Sequence, residues 1–157
     1  VYGPWGRPDM ALFKFTNAIL NNNPIQIYND GQMKRDFTYV DDLIESIYRL
    51  IKIPPEKEKN KKIEIVKESS LNWAPCRIVN IGNSKPVDLL EFIETLEIAL
   101  NKKAIKNYLP YQKGEVLQTW SDTTFLEKLI KYKPSTELLK GINKFLNWYF
   151  KYYKIPK

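Results

Sequence analysis

The sequence predicts a mixed α/β fold with one hydrophobic core. Its 157 residues are 43% hydrophobic and 13% aromatic, which is enough for one domain and too little for two. Segments with apolar residues at helical spacing are interspersed with short segments of alternating β-branched and aromatic residues. No repeat with a period of about 20 to 50 residues is present. These observations favour an α/β or α+β class and a single domain over residues 1–157.

The first part of the chain predicts a helix followed by two strands. Apolar residues recur at helical spacing within residues 9–20, and an Asn-rich segment before Pro24 ends that pattern. Residues 25–28 alternate, an Asn-Asp-Gly turn follows, and residues 35–40 alternate again. We therefore expect two neighbouring strands after the first helix.

A second helix is predicted after Asp41 and Asp42. Either carboxylate is placed to cap the helix, and Pro54 stops it. The adjacent carboxylates also suggest an acid–base dyad, but neighbours at a helix start do not usually converge on one substrate, so capping and dipole compensation are expected. The expected apolar face consists of Leu43, Ile47, Leu50 and Ile51.

The second part of the chain predicts a loop, two strands and three helices. Residues 54–75 are dense in Lys and Glu and predict an exposed loop, whereas residues 77–81 and 105–109 are strand-like. Helices are expected around residues 89–96, 125–129 and 142–153. The capping residues expected for the last two are Asp122 and either Ser135 or Thr136. The aromatic residues of the last helix, including Tyr149 and Tyr153, are expected in the core.

The composition argues against several classes of partner. The net charge of +7 is carried mainly by lysines, since only four of the 25 basic residues are arginines, and nucleic-acid readout favours Arg. The single Cys76 cannot form an internal disulfide, and the absence of histidine argues against a zinc site. No apolar run approaches the ~20 residues that cross a bilayer, and the first residues lack signal-peptide zones. We expect a cytoplasmic protein without nucleic acid, membrane or metal.

Two arginines are candidates for binding. Arg7 lies in the opening segment Val-Tyr-Gly-Pro-Trp-Gly-Arg-Pro-Asp-Met, which has no initiator methionine and suggests the inner part of a longer protein. An arginine in such a loop can hold a carboxylate through two hydrogen bonds, or it is an ordinary surface residue. Arg35 lies in the segment Lys-Arg-Asp-Phe-Thr-Tyr-Val-Asp-Asp, and its simplest partner is Asp36 in a local ion pair.

Together these segments resemble the extended short-chain dehydrogenase/reductase family, and within it the NAD-dependent UDP-glucuronate 4-epimerases. The resemblance covers nearly the whole chain but only the C-terminal half of that family. It implies a C-terminal substrate-binding lobe of a Rossmann-type enzyme, in which residues 1–8 are the end of the Rossmann part. The N-terminal Rossmann half is absent, and the parent enzyme is expected to be a homodimer that binds NAD mainly through that half.

The resemblance implies a role for each of nine residues. Arg7 matches the arginine that holds the sugar carboxylate, and Arg35 matches the one that reaches the diphosphate of UDP. The other assignments are softer. Met10 and Ala11 match positions on the nucleotide side of the cleft, Gln26 and Tyr28 match the stretch along the uracil, and Glu115 matches the acid near the ribose. Gln112 matches a position that is a second phosphate-binding arginine in other sugar epimerases, and Val1 is expected near the nicotinamide of NAD.

The catalytic elements of the resembled family are missing from this sequence. Members transfer hydride between C4 of the sugar and NAD, which requires a Gly-x-x-Gly-x-x-Gly loop and a Tyr-x-x-x-Lys pair. No such loop occurs, and the matches at Tyr48–Lys52 and Tyr153–Lys157 are interpreted as coincidental. The catalytic pair is expected upstream of Val1, so the chain alone is expected to be inactive.

Three alternatives remain open at this stage. The chain is the same portion of another NAD-dependent UDP-sugar epimerase, dehydratase or decarboxylase, or it is a nucleotide-sugar-binding module without catalysis. A basic RNA-binding protein is the third. If the chain is a portion of such an enzyme, removal of the Rossmann half should expose apolar surface on this lobe, so marginal stability or aggregation is expected.

Overall fold

A computed structural model describes residues 1–55 and 75–156, and the lysine-rich segment predicted within residues 54–75 lies largely outside these ranges. The chain forms five α-helices and four strands within the described ranges, with a 3-10 turn at Asn29–Gly31 after β1. In chain order the regular elements are α1 (Ala11–Leu20), β1 (Pro24–Tyr28), β2 (Lys34–Asp36), α2 (Val40–Ile51), β3 (Pro86–Asp88), α3 (Leu89–Leu100), β4 (Ile105–Leu109), α4 (Thr124–Ile130) and α5 (Leu138–Tyr153).

The core lies between a parallel strand pair and three helices. Strands β1 and β4 pair in parallel with Ile25 opposite Lys106. Alternation places Ile25 and Ile27 on the buried face of β1, as the sequence predicts. Helices α1, α3 and α5 cover them with an aromatic-rich set. The largest buried side chains of this set include Phe15, Ile19, Phe92, Ile93, Leu96, Ile142 and Phe145.

A second strand pair supports the segment around Arg35. Strands β2 and β3 are antiparallel, with Arg35 opposite Val87. The other edge of β2 is covered as well, because Lys34 N donates to the Leu117 carbonyl at 2.8 Å and Thr119 N donates to the Lys34 carbonyl at 3.2 Å. Strand β2 is shorter than the strand predicted over residues 35–40. Because both of its edges are paired, Arg35 lies in the middle of a layer of three segments.

Helix α2 forms where it was predicted, but its apolar face and its cap differ from the prediction. Its N-cap is Tyr39, so Asp41 and Asp42 lie inside the first turn, where they still oppose the positive end of the helix dipole. The capping prediction was wrong because Asp42 is buried and turned toward the segment before α5. The helix leaves four large side chains exposed: Ile44, Ile47, Tyr48 and Ile51.

The later elements correct two further predictions. Asp122 lies one residue before the N-cap of α4 and accepts a hydrogen bond from Thr124 N at 2.9 Å, as a capping carboxylate does. The N-cap of α5 is Glu137 rather than Ser135 or Thr136, whose amides donate to Asp42 instead. Residues 77–81 form no strand, although their alternation predicted one.

The last helix supplies much of the core. Phe145 and Tyr149 are buried, which confirms the core assignment of these aromatic residues, whereas Tyr153 is half exposed and contradicts it. No helix in the described ranges is both long enough and apolar enough to cross a membrane.

Candidate functional site

The opening loop is fixed by a tyrosine and a glycine. Tyr2 N donates to the Thr38 carbonyl and Val40 N donates to the Tyr2 carbonyl, each at 2.9 Å, which ties the loop to the start of α2. Gly3 has a φ of 139°, and a Cβ there would lie 2.7 Å from Val40 Cγ1. A larger residue would therefore push the loop off α2. The anchored segment leaves Trp5 and Arg7 in solvent.

Arg7 is exposed and already holds a carboxylate. Its Nε donates to Asp9 Oδ1 at 3.1 Å and its Nη2 donates to Asp9 Oδ2. The hydrogen bond from Arg7 lowers the pKa of Asp9, and the same bond raises the pKa of Arg7. The guanidinium has the fork geometry that a uronate carboxylate requires, and it is engaged within its own loop.

Met10 and Ala11 mark the entry into α1. Met10 is the N-cap of this helix, and its amide donates to the Arg7 carbonyl at 3.2 Å. Met10 is exposed and Ala11 is half-buried. Arg7, Met10 and Ala11 therefore lie close to one another along the chain at the helix start. Val1 is exposed at the beginning of the same loop.

Gln26 and Tyr28 lie on one face of β1. Tyr28 Oη donates to Gln26 Oε1 at 3.1 Å, as side chains two residues apart on a strand can do. Gln26 is opposite Asn107 and Tyr28 is opposite Leu109 in β4. The structure thus brings these two predicted uracil-side residues together.

Arg35 is held by backbone carbonyls rather than by Asp36. Its Nη1 donates to the Lys34 carbonyl at 2.9 Å and weakly to the Leu117 carbonyl at 3.5 Å. The simple local ion pair with Asp36 is not formed. A guanidinium whose partners are neutral carbonyls keeps its full charge available for an anion such as a diphosphate.

Asp36 positions the strand that carries Arg35. Its Oδ2 accepts hydrogen bonds from Ser84 N at 3.0 Å and from Ser121 N at 3.2 Å, which joins two loops to β2. Gly82 allows this approach because a Cβ there would lie 2.4 Å from Ser121 Cβ. No local sequence pattern indicates this cluster, since its members are 37 to 85 residues apart.

Gln112 and Glu115 share a turn after β4. Glu115 N donates to the Gln112 carbonyl at 3.1 Å, and Tyr111 Oη donates to the Glu115 carbonyl at 2.8 Å. Gly114 takes a φ of 98° to close this turn. The turn starts at the end of β4, beside Tyr28, and the chain then returns to pair with β2 beside Arg35.

The candidate residues therefore fall into two groups. The first group lies on β1, on β2 and in the segment that runs from the end of β4 to the residues that pair with β2; its members are Gln26, Tyr28, Arg35, Gln112 and Glu115. The residues of the opening loop form the second group. No hydrogen bond recorded for residues 1–55 and 75–156 joins the two groups. The sequence predicted the members of each group but not the Asp9 partner of Arg7.

Two surface grooves are lined by none of the predicted substrate-binding residues. One groove of about 580 Å³ contains none of the predicted substrate-binding residues. The residues that line it are Pro8, Phe13, Lys14, Asn17, Ala18, Asn23, Tyr149, Tyr153 and Ile155. Each of the two groups contains an arginine, and an arginine is the side chain best suited to hold a carboxylate or a phosphate.

The two Tyr-x-x-x-Lys matches show no catalytic arrangement. Lys52 Nζ lies 4.0 Å above the centre of the Tyr48 ring, a cation–π contact on the exposed face of α2. Tyr153 is the last residue of α5, and Lys157 lies outside the described residues. The first match is thus a surface contact within a helix.

The chain is similar to known proteins along nearly its whole length. Residues 1–65 match the model of the NAD dependent epimerase/dehydratase family. Protein CapI of Staphylococcus aureus is 50% identical over 156 residues, which make up 98% of this chain and 46% of that protein. The first 65 residues of the chain are therefore similar to this epimerase/dehydratase family.

Two named epimerases match nearly the whole chain. The probable UDP-glucuronate 4-epimerase of Rhizobium meliloti (strain 1021) is 49% identical over 98% of this chain and 45% of that protein. The UDP-glucuronic acid 4-epimerase of Bacillus cereus, solved in complex with UDP-glucuronic acid and NAD, has a TM-score of 0.77 at 30% identity. The match includes 98% of this chain and 43% of the Bacillus cereus enzyme. The chain spans about half the length of the relatives it matches.

Proposed function

We propose that this chain is the UDP-sugar-binding portion of an NAD-dependent UDP-glucuronate 4-epimerase. The observation that carries the proposal is the 49% identity to a probable UDP-glucuronate 4-epimerase over 98% of the chain. In the proposed arrangement Arg35 binds the diphosphate, Gln26 and Tyr28 lie along the uracil, and Arg7 binds the sugar carboxylate.

The remaining assignments complete the nucleotide site. Met10 and Ala11 line its nucleotide side, Glu115 approaches the ribose, and Gln112 takes the position of a second phosphate-binding arginine. A glutamine there leaves less positive charge at the diphosphate, so Arg35 carries most of the charge recognition among the predicted residues. The whole enzyme is proposed to be a cytoplasmic homodimer, on the family resemblance alone.

The described residues do not fit the pyrophosphate of NAD. Parallel strand β1 runs into the Asn29–Gly31 turn, where a nucleotide cradle would need open space above a glycine. A Cβ on Gly31 would lie 2.7 Å from Leu90 Cδ2, so the side chain of Leu90 fills that space. NAD supplies the hydride chemistry of the family when bound. The role proposed for this chain is to bind and orient the nucleotide sugar, with Val1 near the nicotinamide.

Isothermal titration of the chain with UDP, UDP-glucose and UDP-glucuronate tests the proposal. We expect Arg35→Ala to weaken the binding of all three ligands about tenfold, because each contains a diphosphate. Arg7→Ala should weaken the binding of UDP-glucuronate alone. Arg49→Ala is the matched control, since Arg49 pairs with Glu45 on α2. Failure of UDP to bind, or steeply salt-dependent binding of any polyanion instead, contradicts the proposal.

A further inference from the structure

The Arg7 guanidinium is occupied by a carboxylate of its own loop. Asp9 uses both of its oxygens, one on Nε and one on Nη2, which is the side-on form of the bidentate pair. The turn that holds the two residues together is closed by Met10 N, which donates to the Arg7 carbonyl at 3.2 Å. An aspartate two residues away therefore offers Arg7 the same chemical group as a uronic acid.

The pair lies in solvent and is open to exchange. The side chains of Arg7 and Asp9 are 71% and 55% exposed. Ion pairs with this exposure are weak and are screened by salt, so an incoming carboxylate can compete for the same donors. The carboxylate of Glu97 is different, because it is paired but almost fully buried and so is closed to an incoming ligand.

We propose that Asp9 sets the selectivity of Arg7 for uronates by competing with the sugar carboxylate. The inference rests on the proposed function. If the sugar carboxylate takes the side-on edge of the guanidinium, it must displace Asp9. If it takes the free end-on edge, it lies near a second negative charge that partly neutralises Arg7. Asp9 opposes the binding of a uronate on either edge and is indifferent to a neutral sugar.

The opposite role makes the opposite prediction. If Asp9 served to hold Arg7 in its binding orientation, its removal would weaken uronate binding. The exposure of both side chains favours competition, because an exposed residue paired with one short loop neighbour gains little orientation from it.

Titration of the Asp9→Asn variant with UDP-glucuronate and UDP-glucose separates the two roles. We expect about two- to fivefold tighter binding of UDP-glucuronate at low salt, the range of an exposed ion pair, and unchanged binding of UDP-glucose. The gain should shrink at high salt and should vanish in an Arg7→Ala background. Asp41→Asn is the charge-matched control, since Asp41 is an exposed aspartate paired with Lys144.

Each other outcome has a defined meaning. Weaker or unchanged UDP-glucuronate binding by Asp9→Asn, with UDP still bound, overturns the role of Asp9 and leaves the proposed function intact. A gain of the same size in Asp41→Asn also overturns it, because net charge would then explain the effect. Absence of UDP binding in every variant overturns the proposed function together with this inference.

Discussion

At the scale of single residues, two adjacent aspartates have opposite environments. Asp42 is buried and accepts hydrogen bonds from Tyr132 Oη at 3.0 Å, Ser135 N at 3.2 Å and Thr136 N at 2.9 Å. These bonds tie α2 to the segment that leads into α5. We expect Asp42→Asn to lower the free energy of unfolding by about 2 to 3 kcal/mol, because an amide nitrogen would face the donors. Urea denaturation followed by circular dichroism measures this loss.

The neighbouring residue provides the control. Asp41 is exposed and pairs with Lys144 Nζ at 3.2 Å, so Asp41→Asn should change the urea midpoint far less than Asp42→Asn. Equal losses in the two variants would mean that helix-dipole compensation, common to both positions, outweighs the buried hydrogen bonds.

Glu97 makes stability depend on acid pH. Burial alone would raise its pKa, but hydrogen bonds from Lys103 Nζ, Ala104 N and Lys106 Nζ together hold the pKa below the usual 4.5. The unfolded chain therefore binds the proton more readily, and the stabilisation is complete above the unfolded pKa. It is lost as pH falls from about 4.5 through the lowered folded pKa.

We expect Glu97→Gln to flatten the dependence of unfolding free energy on pH in this acid range. The same substitution at Glu94, an exposed residue of the same helix, should leave the slope close to that of the parent chain. Urea titrations at several pH values between about 3 and 6 measure the two slopes. Parallel slopes for the parent and Glu97→Gln would show that other carboxylates dominate acid unfolding.

At the scale of elements, a glycine in α5 makes room for the opening loop. A Cβ on Gly141 would lie 2.0 Å from Tyr2 Oη and 2.6 Å from Tyr2 Cζ. Alanine usually stabilises a helix interior by up to about 1 kcal/mol over glycine, yet here the clash dominates. We expect Gly141→Ala to destabilise the chain by about 1 to 3 kcal/mol, measured by thermal or urea unfolding.

The loss of stability expected in Gly141→Ala comes from the contact with Tyr2. Tyr2→Phe removes the nearer of the two atoms, so it should recover part of the stability lost in Gly141→Ala. Additive losses in the double variant would place the cause in the backbone of α5 and not in its contact with the opening loop.

The elements also show where sequence periodicity was sufficient. Helices α1 and α3 and strand β1 agree with it because their apolar residues face one core, and β4 forms where it was predicted although none of its residues is fully buried. Residues 77–81 have strand-like alternation but no ladder in the described ranges, since a strand requires a neighbour that local sequence does not reveal. Their polar groups bond elsewhere, with Arg77 Nη1 donating to the Ile53 carbonyl at 3.0 Å.

At the scale of the whole molecule, the sequence suggested candidate residues but not the contacts that surround them. Arg7 lies in a loop rich in Gly and Pro, which favours exposed functional side chains, but both Arg7 and Arg35 were singled out by the resemblance of their segments to the epimerase family. The Asp36 contacts to Ser84 and Ser121 and the pairing of β2 with residues 117–119 depend on long-range packing. The position of Arg35 between two loops follows only from that packing.

The exposed face of α2 governs how the whole molecule behaves in solution. Ile44, Ile47, Tyr48 and Ile51 follow helical spacing and are 40% to 71% exposed, so they form one apolar patch. The sequence assigned Ile47 and Ile51 to the apolar face of this helix, but periodicity identifies an apolar face without identifying what covers it. We expect the chain to associate with itself as its concentration rises, and sedimentation velocity over a concentration series measures this.

Replacing Ile44 and Ile47 with Gln should weaken that association about tenfold, because two side chains would no longer remove apolar area from water on contact. Thermal stability should stay nearly unchanged, since neither side chain is buried within the chain. Ile98→Gln is the matched control: Ile98 is 67% exposed on α3, outside the patch, so its loss should leave association as it was. A monomer at every concentration, or equal effects of Ile98→Gln, would mean that the surface of α2 is too small or too broken by its charged neighbours to hold a second copy.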